Sequence, residues 1–245
     1  MSSPVIVLWS APRSRSTAFF RSMLERGDLL ALHEPLEGLA YIGPIEVGAR
    51  TFTSPESLVW WLLAGDAKQP VFLKETVNPR VLEMVHAQPS FLRTAHHAFL
   101  IRDPLEIAAS WWALEGDMRI LDTGVEALYE LFIAVGSAGG SPPAVIDSDD
   151  LVTQPASTMH TFCDAVGLPF VDGALQWESG VPAAWARTAR WHVEASASTG
   201  FVAPSSPDRH GLESHDEVRR FDARHRPFYD ALRAFRLVID VPPST

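Results

Sequence analysis

Short, continuous apolar runs alternate with longer segments of helical spacing along the first two thirds of this chain. The run Val5–Trp9 is apolar at every position, which is typical of a strand that is buried on both faces. From about Arg15 to Arg26, apolar residues recur at helical intervals, and this spacing predicts a helix. Further strands are predicted at Pro70–Lys74, His97–Arg102 and Ala144–Asp147.

Helices are predicted after these strands, at Pro79–His86, from Asp103 to about Glu115, at Val125–Val135 and at Pro155–Val166. The start at Asp103 is well defined, because Asp is a good cap and Pro104 and Glu106 occupy the first and third helical positions. Gly167 ends the last of these helices in the left-handed conformation that glycine tolerates. Strands that alternate with helices predict an α/β fold, in which a mostly parallel central sheet is covered on both faces to give three layers.

The last third of the chain has a different pattern. Residues 173–212 are rich in Trp, Ser, Pro and Gly and are expected to form a long ordered loop region. A charged helix is predicted to follow, from about Glu213 to Ala234. No segment has the composition of a linker, so we expect a single domain over residues 1–245.

Composition and charge narrow the classes of function. The net charge is −10, which argues against non-specific nucleic-acid binding, because that needs a basic surface. The single cysteine, Cys163, excludes an internal disulfide and the Cys-x-x-Cys zinc or redox motifs. Apolar runs fall far short of the ~20 residues of a membrane span, and residues 1–9 have no basic signal-type start. We therefore expect a cytoplasmic protein that binds neither membranes nor nucleic acids.

The segment Ser10–Thr17 lies directly between the first predicted strand and the first helix. A helix start exposes free backbone N–H groups and a partial positive charge, so a tight turn at this point can hold an anion. The alternative is an ordinary Ser/Thr helix cap. Gly-x4-Gly-Lys-Ser/Thr and Gly-x-Gly-x-x-Gly are both absent, which excludes the common triphosphate and dinucleotide motifs. Hydroxyl and guanidinium groups strengthen the prediction of an anion site, whose candidate residues are Pro12, Arg13, Ser14, Arg15, Ser16 and Thr17.

Arg102-Asp103-Pro104, with Ser110 eight residues after the arginine, forms a second motif. Arg102 ends a predicted parallel strand, at the edge where open α/β sheets bind ligands. Ser110 lies about two helical turns beyond the Asp103 cap, so an arginine and a hydroxyl can hold a second phosphate beside the first site. Alternatively, Arg102 pairs with Asp103 or Glu106, and Ser110 is simply solvated.

Together these segments resemble the nucleotide-binding elements of sulfotransferases that use 3′-phosphoadenylyl sulfate (PAPS). In that family a strand–loop–helix of the form Pro-Arg/Lys-Ser-x-Ser/Thr-Thr holds the 5′-phosphosulfate, and Pro12–Thr17 matches it. The family's Arg-Asp-Pro-x5-Ser holds the 3′-phosphate, and Arg102 to Ser110 matches it at the right spacing. One departure is Arg15, at a position where most members have Gly.

The resemblance implies a P-loop-like sulfotransferase fold, with a nucleotide-binding core at about 4–170 and a C-terminal loop and helix region at 171–245. It implies PAPS as the co-substrate and 3′,5′-ADP as the product, with no metal, since side-chain cations take its place. The expected partner is a small-molecule hydroxyl acceptor, and a homodimer is left open.

His33-Glu34-Pro35 follows the first predicted helix. In the bacterial and heparan-type branches of the family a Glu at the equivalent point is the catalytic base, and the resemblance assigns that role to Glu34. The chemistry needs such a group, because the acceptor alcohol must lose its proton as the new O–S bond forms. His33 is an alternative base, since a histidine titrates near neutrality, and Glu75 is a third candidate.

Lys74, one of only two lysines in the chain, closes the second predicted strand just before Glu75. One interpretation is an ion pair with Glu75, or a lysine that extends to solvent at the sheet edge. The other is that Lys74 and Arg13 stabilise negative charge on the transferred group and on the leaving phosphate.

Ser198, Thr199 and Gly200 follow a Trp-His pair near the end of the chain. The resemblance suggests a late loop that folds over the nucleotide, and the alternative is an aromatic-anchored surface loop. Two further aromatic pairs either line an acceptor pocket or pack in the core, namely Trp60-Trp61 and Trp111-Trp112.

Two other functions stay open at the level of sequence. A small-molecule kinase can use the same anion loop with ATP, and Ile146-Asp147 would then supply the metal-binding strand end, although the lysine of the nucleotide loop is missing. A catalytically silent nucleotide-binding module that acts through a partner is the second alternative.

Overall fold

The computed structural model describes residues 3–118, 124–140, 142–185, 189–201 and 215–239. Five strands of this part of the chain form one parallel sheet in the order β2-β5-β1-β6-β7, and two more form a separate antiparallel hairpin, β3-β4. In chain order the strands are β1 (Val5–Ser10), β2 (Leu30–His33), β3 (Ile45–Val47), β4 (Arg50–Phe52), β5 (Val71–Thr76), β6 (His96–Ile101) and β7 (Ala144–Asp147).

Helices cover both faces of the sheet. Six of them begin with proline in the first turn, where its missing N–H costs nothing, and these are α2, α3, α4, α5, α6 and α9. The helices are α1 (Ser16–Glu25), α2 (Pro35–Tyr41), α3 (Pro55–Ala64), α4 (Pro79–His86), α5 (Pro89–Thr94), α6 (Pro104–Glu115), α7 (Gly124–Gly139), α8 (Ser148–Thr153), α9 (Pro155–Val166), α10 (Val193–Ala197) and α11 (Asp216–Arg233). None of the helices in the described ranges is both long and apolar enough to cross a membrane.

Strand β1 lies in the middle of the sheet, and this position explains why its sequence is apolar throughout. Val7 and Trp9 belong to the hydrophobic core on one face, whereas Ile6 and Leu8 belong to the core on the other. Because both faces are covered, neither can carry a polar residue without burying it. The central parallel sheet flanked by helices confirms the predicted α/β fold class.

The predicted strands and helices are found with shifted ends, and several elements were missed. The second predicted strand extends to Thr76, and the helix predicted at Val125–Val135 covers Gly124–Gly139. Strand β2 was missed because every one of its residues is half-buried at the sheet edge, so it lacks a fully apolar run. The hairpin strands are only three residues each, too short to show a period. Helices α2, α3 and α5 were also missed.

The predicted loop region after residue 171 contains ordered turns. Three 3₁₀ turns, at Asp172–Leu175, Ala183–Trp185 and Ala189–Trp191, precede α10. Residues 202–212 of the predicted loop, and Glu213 at the predicted start of the last helix, lie outside the described residues. From Asp216 to Arg233 the charged helix is present as α11.

Helix α11 is joined to the centre of the molecule by polar contacts. The two Nη atoms of Arg226 donate to the two carboxylate oxygens of Asp103, at 2.7 and 2.9 Å, and Asp103 also caps α6. The Tyr229 hydroxyl donates to Oδ2 of Asp147 at the end of β7, at 3.0 Å. The C-terminal helix is therefore anchored at the carboxyl ends of β6 and β7.

His97 on β6 is a buried histidine held in one tautomer. Nε1 of Trp9 donates to its Nδ1 at 2.9 Å, and its Nε2 lies 3.2 Å from the carbonyl oxygen of Phe91. Nδ1 must therefore accept and Nε2 must donate, which is the neutral form. Burial lowers the pKa of His97 to about 4.

We predict that His97 makes the fold less stable in mild acid. The pKa of His97 in the folded state lies below the unfolded value of ~6.5. Its contribution to the free energy of unfolding is therefore complete above pH ~6.5 and is lost as the pH falls toward ~4. By pH 5 this loss amounts to about 2 kcal/mol. Urea unfolding of His97→Gln should lack this part of the pH dependence. His96→Gln, at the exposed neighbouring histidine, should keep it. The same slope in wild type and His97→Gln would contradict the assignment.

Candidate active site

A cleft of about 1950 Å³ runs along the carboxyl ends of the parallel strands. Its walls include the loop after β1, the end of β6, the junction of β2 with α2, and the end of β5. Open parallel sheets bind ligands at this edge. The residues that the sequence motifs singled out are thus brought together from four different strands.

The loop between β1 and α1 turns through two left-handed residues. Arg13 has φ 61° and Arg15 has φ 63°, a conformation that favours glycine. Arg15 therefore adopts the backbone conformation that a glycine adopts most easily, so the departure from the family motif leaves the turn intact. Ser14 lies between them, fully buried, and its hydroxyl has no hydrogen-bond partner in the described structure. A buried hydroxyl without a partner is costly, and this one borders the cleft.

Arg13 links the two sequence motifs. Its Nε donates to Oγ of Ser110 at 3.0 Å, and its Nη1 reaches the carbonyl oxygen of Trp191 at 3.4 Å. Burial lowers the pKa of the Arg13 guanidinium, and the charge of the nearby Glu194 carboxylate partly offsets this decrease. Ser110 is therefore at the cleft, in contact with the first loop.

Arg102 lies beneath the same loop. Its Nη1 donates to the carbonyl oxygen of Arg13 at 2.7 Å, and its Nη2 donates to Oε2 of Glu106 at 2.9 Å. Of the two acidic residues considered as partners of Arg102, the structure pairs it with Glu106, whereas Asp103 pairs with Arg226. Nε of Arg102 is buried without a partner, and Arg102 lines the cleft. The arginine is thus held in place while its Nε–H has no partner in the described structure.

The side chain of Arg15 joins this loop to α6 and α8. Its Nη2 lies 3.3 Å from Oε2 of Glu106, and its Nη1 donates to the carbonyl oxygen of Ser148 at 3.2 Å and contacts the Asp149 carboxylate. Glu106 accepts from both Arg15 and Arg102 through one oxygen. These ion pairs fix the position of the loop relative to the neighbouring helix starts.

Lys74, Glu34 and Thr76 form a polar cluster where β2 and β5 end. Nζ of Lys74 donates to Oε1 of Glu34 and lies 3.1 Å from Oγ1 of Thr76, which itself donates to the same glutamate oxygen at 2.6 Å. Burial alone would raise the pKa of the Glu34 carboxyl, but Lys74 and the two hydrogen bonds hold that pKa well below its ordinary range. Glu34 is therefore an ionised carboxylate in the cleft wall, and Lys74 pairs with it rather than with Glu75.

Glu75 points to the other face of β5. Its carboxylate accepts the backbone N–H of Leu36 at 2.7 Å and that of Glu37 at 3.4 Å, and it is fully buried. It thereby satisfies free N–H groups in the first turn of α2. Burial raises its pKa well above the ordinary value. The structure places this third candidate base outside the cleft lining, at the start of α2.

Two histidines lie close together beside the anion loop. The His33 ring is enclosed by Phe20, Trp185 and His192, with ring centroids 4.9, 6.2 and 4.9 Å away. Burial, and then the Lys74 charge, lower the pKa of His33 to about 3 and that of His192 to about 4. His33 is thus neutral at physiological pH, with Nδ1 3.6 Å from Oε2 of Glu34.

Two cleft residues were missed by the sequence interpretation as site residues. His192 lines the cleft, with Nδ1 3.2 Å from Oγ1 of Thr17; its sequence signal was only its place in the aromatic segment before Ser198. Glu37 lines the cleft one turn into α2, a helix that the sequence interpretation did not include. Burial and the charge of Glu34 raise the pKa of Glu37 to about 8.

The late loop packs on a second segment of the C-terminal region. Nε1 of Trp177 donates to Oγ of Ser198 at 3.2 Å, and its backbone N–H donates to the carbonyl oxygen of Thr199 at 3.1 Å. Gly200 bridges to Gln176. Ser198 and Gly200 line the cleft, whereas Thr199 contributes the backbone contact just described.

The tryptophan pairs divide between the cleft and the rest of the fold. Trp111 is buried, lines the cleft and stacks on Trp191, with ring centroids 5.8 Å apart. Trp112 contacts His215 instead. Trp61 packs on Phe52 beneath the hairpin, and Trp60 is exposed on α3, so neither of that pair lines the cleft.

Asp147, which a kinase would need as a metal ligand, has other partners. Its carboxylate accepts the backbone N–H of Asp149 and the hydroxyl of Tyr229, both at 3.0 Å, and lies 3.5 Å from Nε of Arg233. It caps α8 and holds α11, and it is not part of the cleft lining.

Known proteins are similar to this chain in sequence and in fold. Two proteins of Arabidopsis thaliana, branched-chain-amino-acid aminotransferase-like proteins 2 and 1, are 30% and 31% identical to it over 94% of the chain. The chain spans only 41% and 42% of their lengths.

Among solved structures, a sulfotransferase from Alicyclobacillus acidocaldarius has a TM-score of 0.52 at 13% identity, over 97% of this chain and 98% of its own. The sulfotransferase domain from the curacin biosynthetic pathway has a TM-score of 0.50 at 14% identity, and the match covers 91% of this chain and 97% of that domain. At these identities the likeness concerns the fold.

A family model described as a sulfotransferase domain matches residues 5–236, which is nearly the whole chain. The match includes the loop after β1, the end of β6 and the junction of β2 with α2, the same elements that surround the cleft. The chain belongs to the sulfotransferase family.

Proposed function

We propose that this protein transfers the sulfuryl group from PAPS to a hydroxyl of a small-molecule acceptor and releases 3′,5′-ADP. The observation that supports this most directly is a pair of buried donors without partners in the described structure, the hydroxyl of Ser14 and Nε of Arg102, beside one cleft. They follow adjacent strands, since β1 pairs with β6. Two anion sites at the ends of adjacent strands suit a nucleotide that carries phosphate at both the 5′ and the 3′ position.

The donor nucleotide would bind across the ends of β1 and β6. The first turn of α1 offers backbone N–H groups and the hydroxyls of Ser16 and Thr17 to the 5′-phosphosulfate. Arg102 and Ser110 would hold the 3′-phosphate. Ser198 and Gly200 also line the cleft, and they would contact the bound nucleotide.

The acceptor hydroxyl would lie between the donor and Glu34. Its oxygen attacks the sulfur as the bond from sulfur to the phosphate oxygen breaks in line, and the hydroxyl proton passes to the carboxylate of Glu34. Negative charge develops on the sulfuryl oxygens and on the leaving phosphate. Lys74 and Arg13, which both line the cleft, would stabilise it.

Glu34 fits the role of base better than His33. Both residues line the cleft and Glu34 is ionised, but the Glu34 side chain is 15% exposed and that of His33 only 3%. Aromatic rings enclose His33 and limit the access of an acceptor hydroxyl to it. His33 would instead help to position the Glu34 carboxylate, whose Oε2 lies 3.6 Å from Nδ1 of His33.

The partners of Asp147 weaken the kinase alternative, because a helix cap and a tyrosine hydroxyl already use its carboxylate oxygens. Glu34 and Lys74 also weaken the alternative of a silent binding module, since nucleotide binding alone does not require a buried ion pair in the cleft wall.

We predict that Arg102→Ala weakens 3′,5′-ADP binding by about 10–150-fold, the value of a charge-assisted hydrogen bond that is shielded from water. Binding of 5′-AMP should change far less, because it lacks the 3′-phosphate. Isothermal titration calorimetry of both nucleotides measures the ratio, and Arg93→Ala, at an exposed arginine of α5, is the control. Equal weakening of both nucleotides would indicate a collapsed loop and remove the assignment.

We also predict that Glu34→Gln lowers kcat for sulfate transfer by about 10²–10⁴-fold, the usual effect of a lost general base. Affinity for 3′,5′-ADP should stay within about twofold of wild type, because Glu34 lies at the end of β2, away from the proposed nucleotide site. Glu83→Gln, at an exposed glutamate of α4, should leave kcat unchanged. Unaltered turnover in Glu34→Gln would exclude this residue as the base.

A further inference from the structure

We infer that the acceptor is an uncharged alcohol with a largely apolar body, an inference that rests on the proposed function. It depends on how charge and apolar surface are divided between the two ends of the cleft. The residues following β1 and β6, with the segment 190–195, form one end, which we call the donor half. Helix α2, the hairpin and the residues 77–79 after β5 form the other, the acceptor half. Glu34 and Lys74 lie on the border.

The sheet order fixes this division. Strand β1 is between β6 and β5, and β2 lies outside β5 at the sheet edge. A nucleotide held at β1 and β6 therefore leaves the part of the cleft beyond β5 empty. A hydroxyl that reaches the Glu34 carboxylate must belong to a molecule whose remaining atoms occupy that part.

The acceptor half is lined mostly by apolar side chains. Tyr41 and Ile42 are 52% and 51% exposed and are adjacent in the cleft lining, so they offer a continuous apolar surface to a ligand. Helix α2 packs directly against the hairpin, since a side-chain carbon on Gly38 would lie 3.1 Å from Cγ2 of Ile45. A larger residue than glycine at position 38 would therefore push α2 and the hairpin apart. The apolar lining residues are Tyr41, Ile42, Pro44, Ile45, Val47 and Val77.

Positive charge is concentrated in the donor half. Among the described lining residues, the arginines all belong to it, namely Arg13, Arg15, Arg102 and Arg190. Lys74 on the border is paired with Glu34. The acidic side chains that line the described acceptor half are Glu37 and the exposed Glu46. An acceptor with its own carboxylate, phosphate or sulfate would be repelled by Glu46 there and by the ionised Glu34 on the border.

The state of Glu37 extends this argument to cations. It lies one turn into α2, next to Glu34, and its raised pKa keeps it protonated at neutral pH. The inner acceptor half then presents a neutral carboxylic acid rather than a counter-ion for an ammonium group. Of the three classes of acceptor, an uncharged apolar molecule has the smallest desolvation cost when it enters the acceptor half.

Three alcohols that share one carbon skeleton test this inference: octan-1-ol, 8-hydroxyoctanoate and 8-aminooctan-1-ol. The length of α2 sets the choice, because its seven residues extend about 10 Å at about 1.5 Å each. We expect kcat/KM for PAPS-dependent sulfation of octan-1-ol to exceed that of each charged analogue by about tenfold or more, equivalent to about 1.4 kcal/mol. An equal or higher kcat/KM for either charged analogue would overturn the acceptor class while sulfate transfer itself stands.

Ile42→Lys places a cation in the wall of the acceptor half at a position that is already exposed. It should raise kcat/KM for 8-hydroxyoctanoate about two- to fivefold, the range of an exposed ion pair, and lower that for octan-1-ol. Ile133→Lys is the matched control, because Ile133 is 47% exposed on α7 and does not line the cleft. An identical change in both variants would contradict the role of this wall.

Failure of sulfate transfer is distinguishable from failure of the acceptor inference. If none of the alcohols is sulfated, the binding of each alcohol to the protein saturated with 3′,5′-ADP is measured by calorimetry. This measurement shows whether the sulfate transfer or the acceptor class is wrong. Binding of octan-1-ol with weaker binding of both charged analogues supports the acceptor class and counts against transfer. Equal affinities, or no binding of any alcohol, would overturn the acceptor class.

Discussion

The buried ion pair between Lys74 and Glu34 is the interaction on which the arrangement of the cleft depends. Two charges leave water at the ends of adjacent strands, and such a pair is tolerated only when further hydrogen bonds complete it. Thr76 provides one of these, and the backbone N–H of Glu34 donates to the carbonyl oxygen of Lys74 at 2.7 Å. Removing either partner would leave an uncompensated charge at a cost of about 3–5 kcal/mol. The pair therefore fixes where β2 ends and where α2 begins.

Backbone strain is concentrated at the same place. In the described structure the residues other than glycine with positive φ are Arg13, Arg15 and Glu34, and all of them line the cleft. Each such conformation costs about 1–3 kcal/mol and persists only where its surroundings enforce it. Here the enforcing contacts are visible, since Arg102 binds the carbonyl oxygen of Arg13 and Lys74 holds Glu34. The strained residues therefore coincide with the lining of the proposed nucleotide and acceptor site, as is common where a fold holds its functional residues.

Much of the fold followed from local pattern, whereas the site depended on pairing between strands. The inner strands were predictable because a buried parallel strand is apolar throughout, as in Val5–Trp9. The edge strand β2 carries no such signal, so the helix that follows it, with Glu37, was missed as well. The anion loop stood out because arginines and hydroxyls cluster beside a predicted strand. The partner of Lys74 could not be identified from the sequence. Choosing Glu34 over the adjacent Glu75 requires the register of β2 against β5, in which His33 lies opposite Lys74.

In an acidic chain, a doubly phosphorylated nucleotide can bind only where individual cations lie at the positions of its phosphates, because the total charge of the protein does not attract it. The net charge of −10 gives no general attraction for anions. Glu106 already compensates part of the charge of both Arg15 and Arg102, so counting guanidinium groups would overstate the local field. What remains is geometric: a helix start with free N–H groups, and a buried serine hydroxyl and an arginine Nε without partners in the described structure, both on residues that line one cleft. Affinity of that kind depends on the position of the phosphates and falls little with salt, because the groups that provide it are shielded from water.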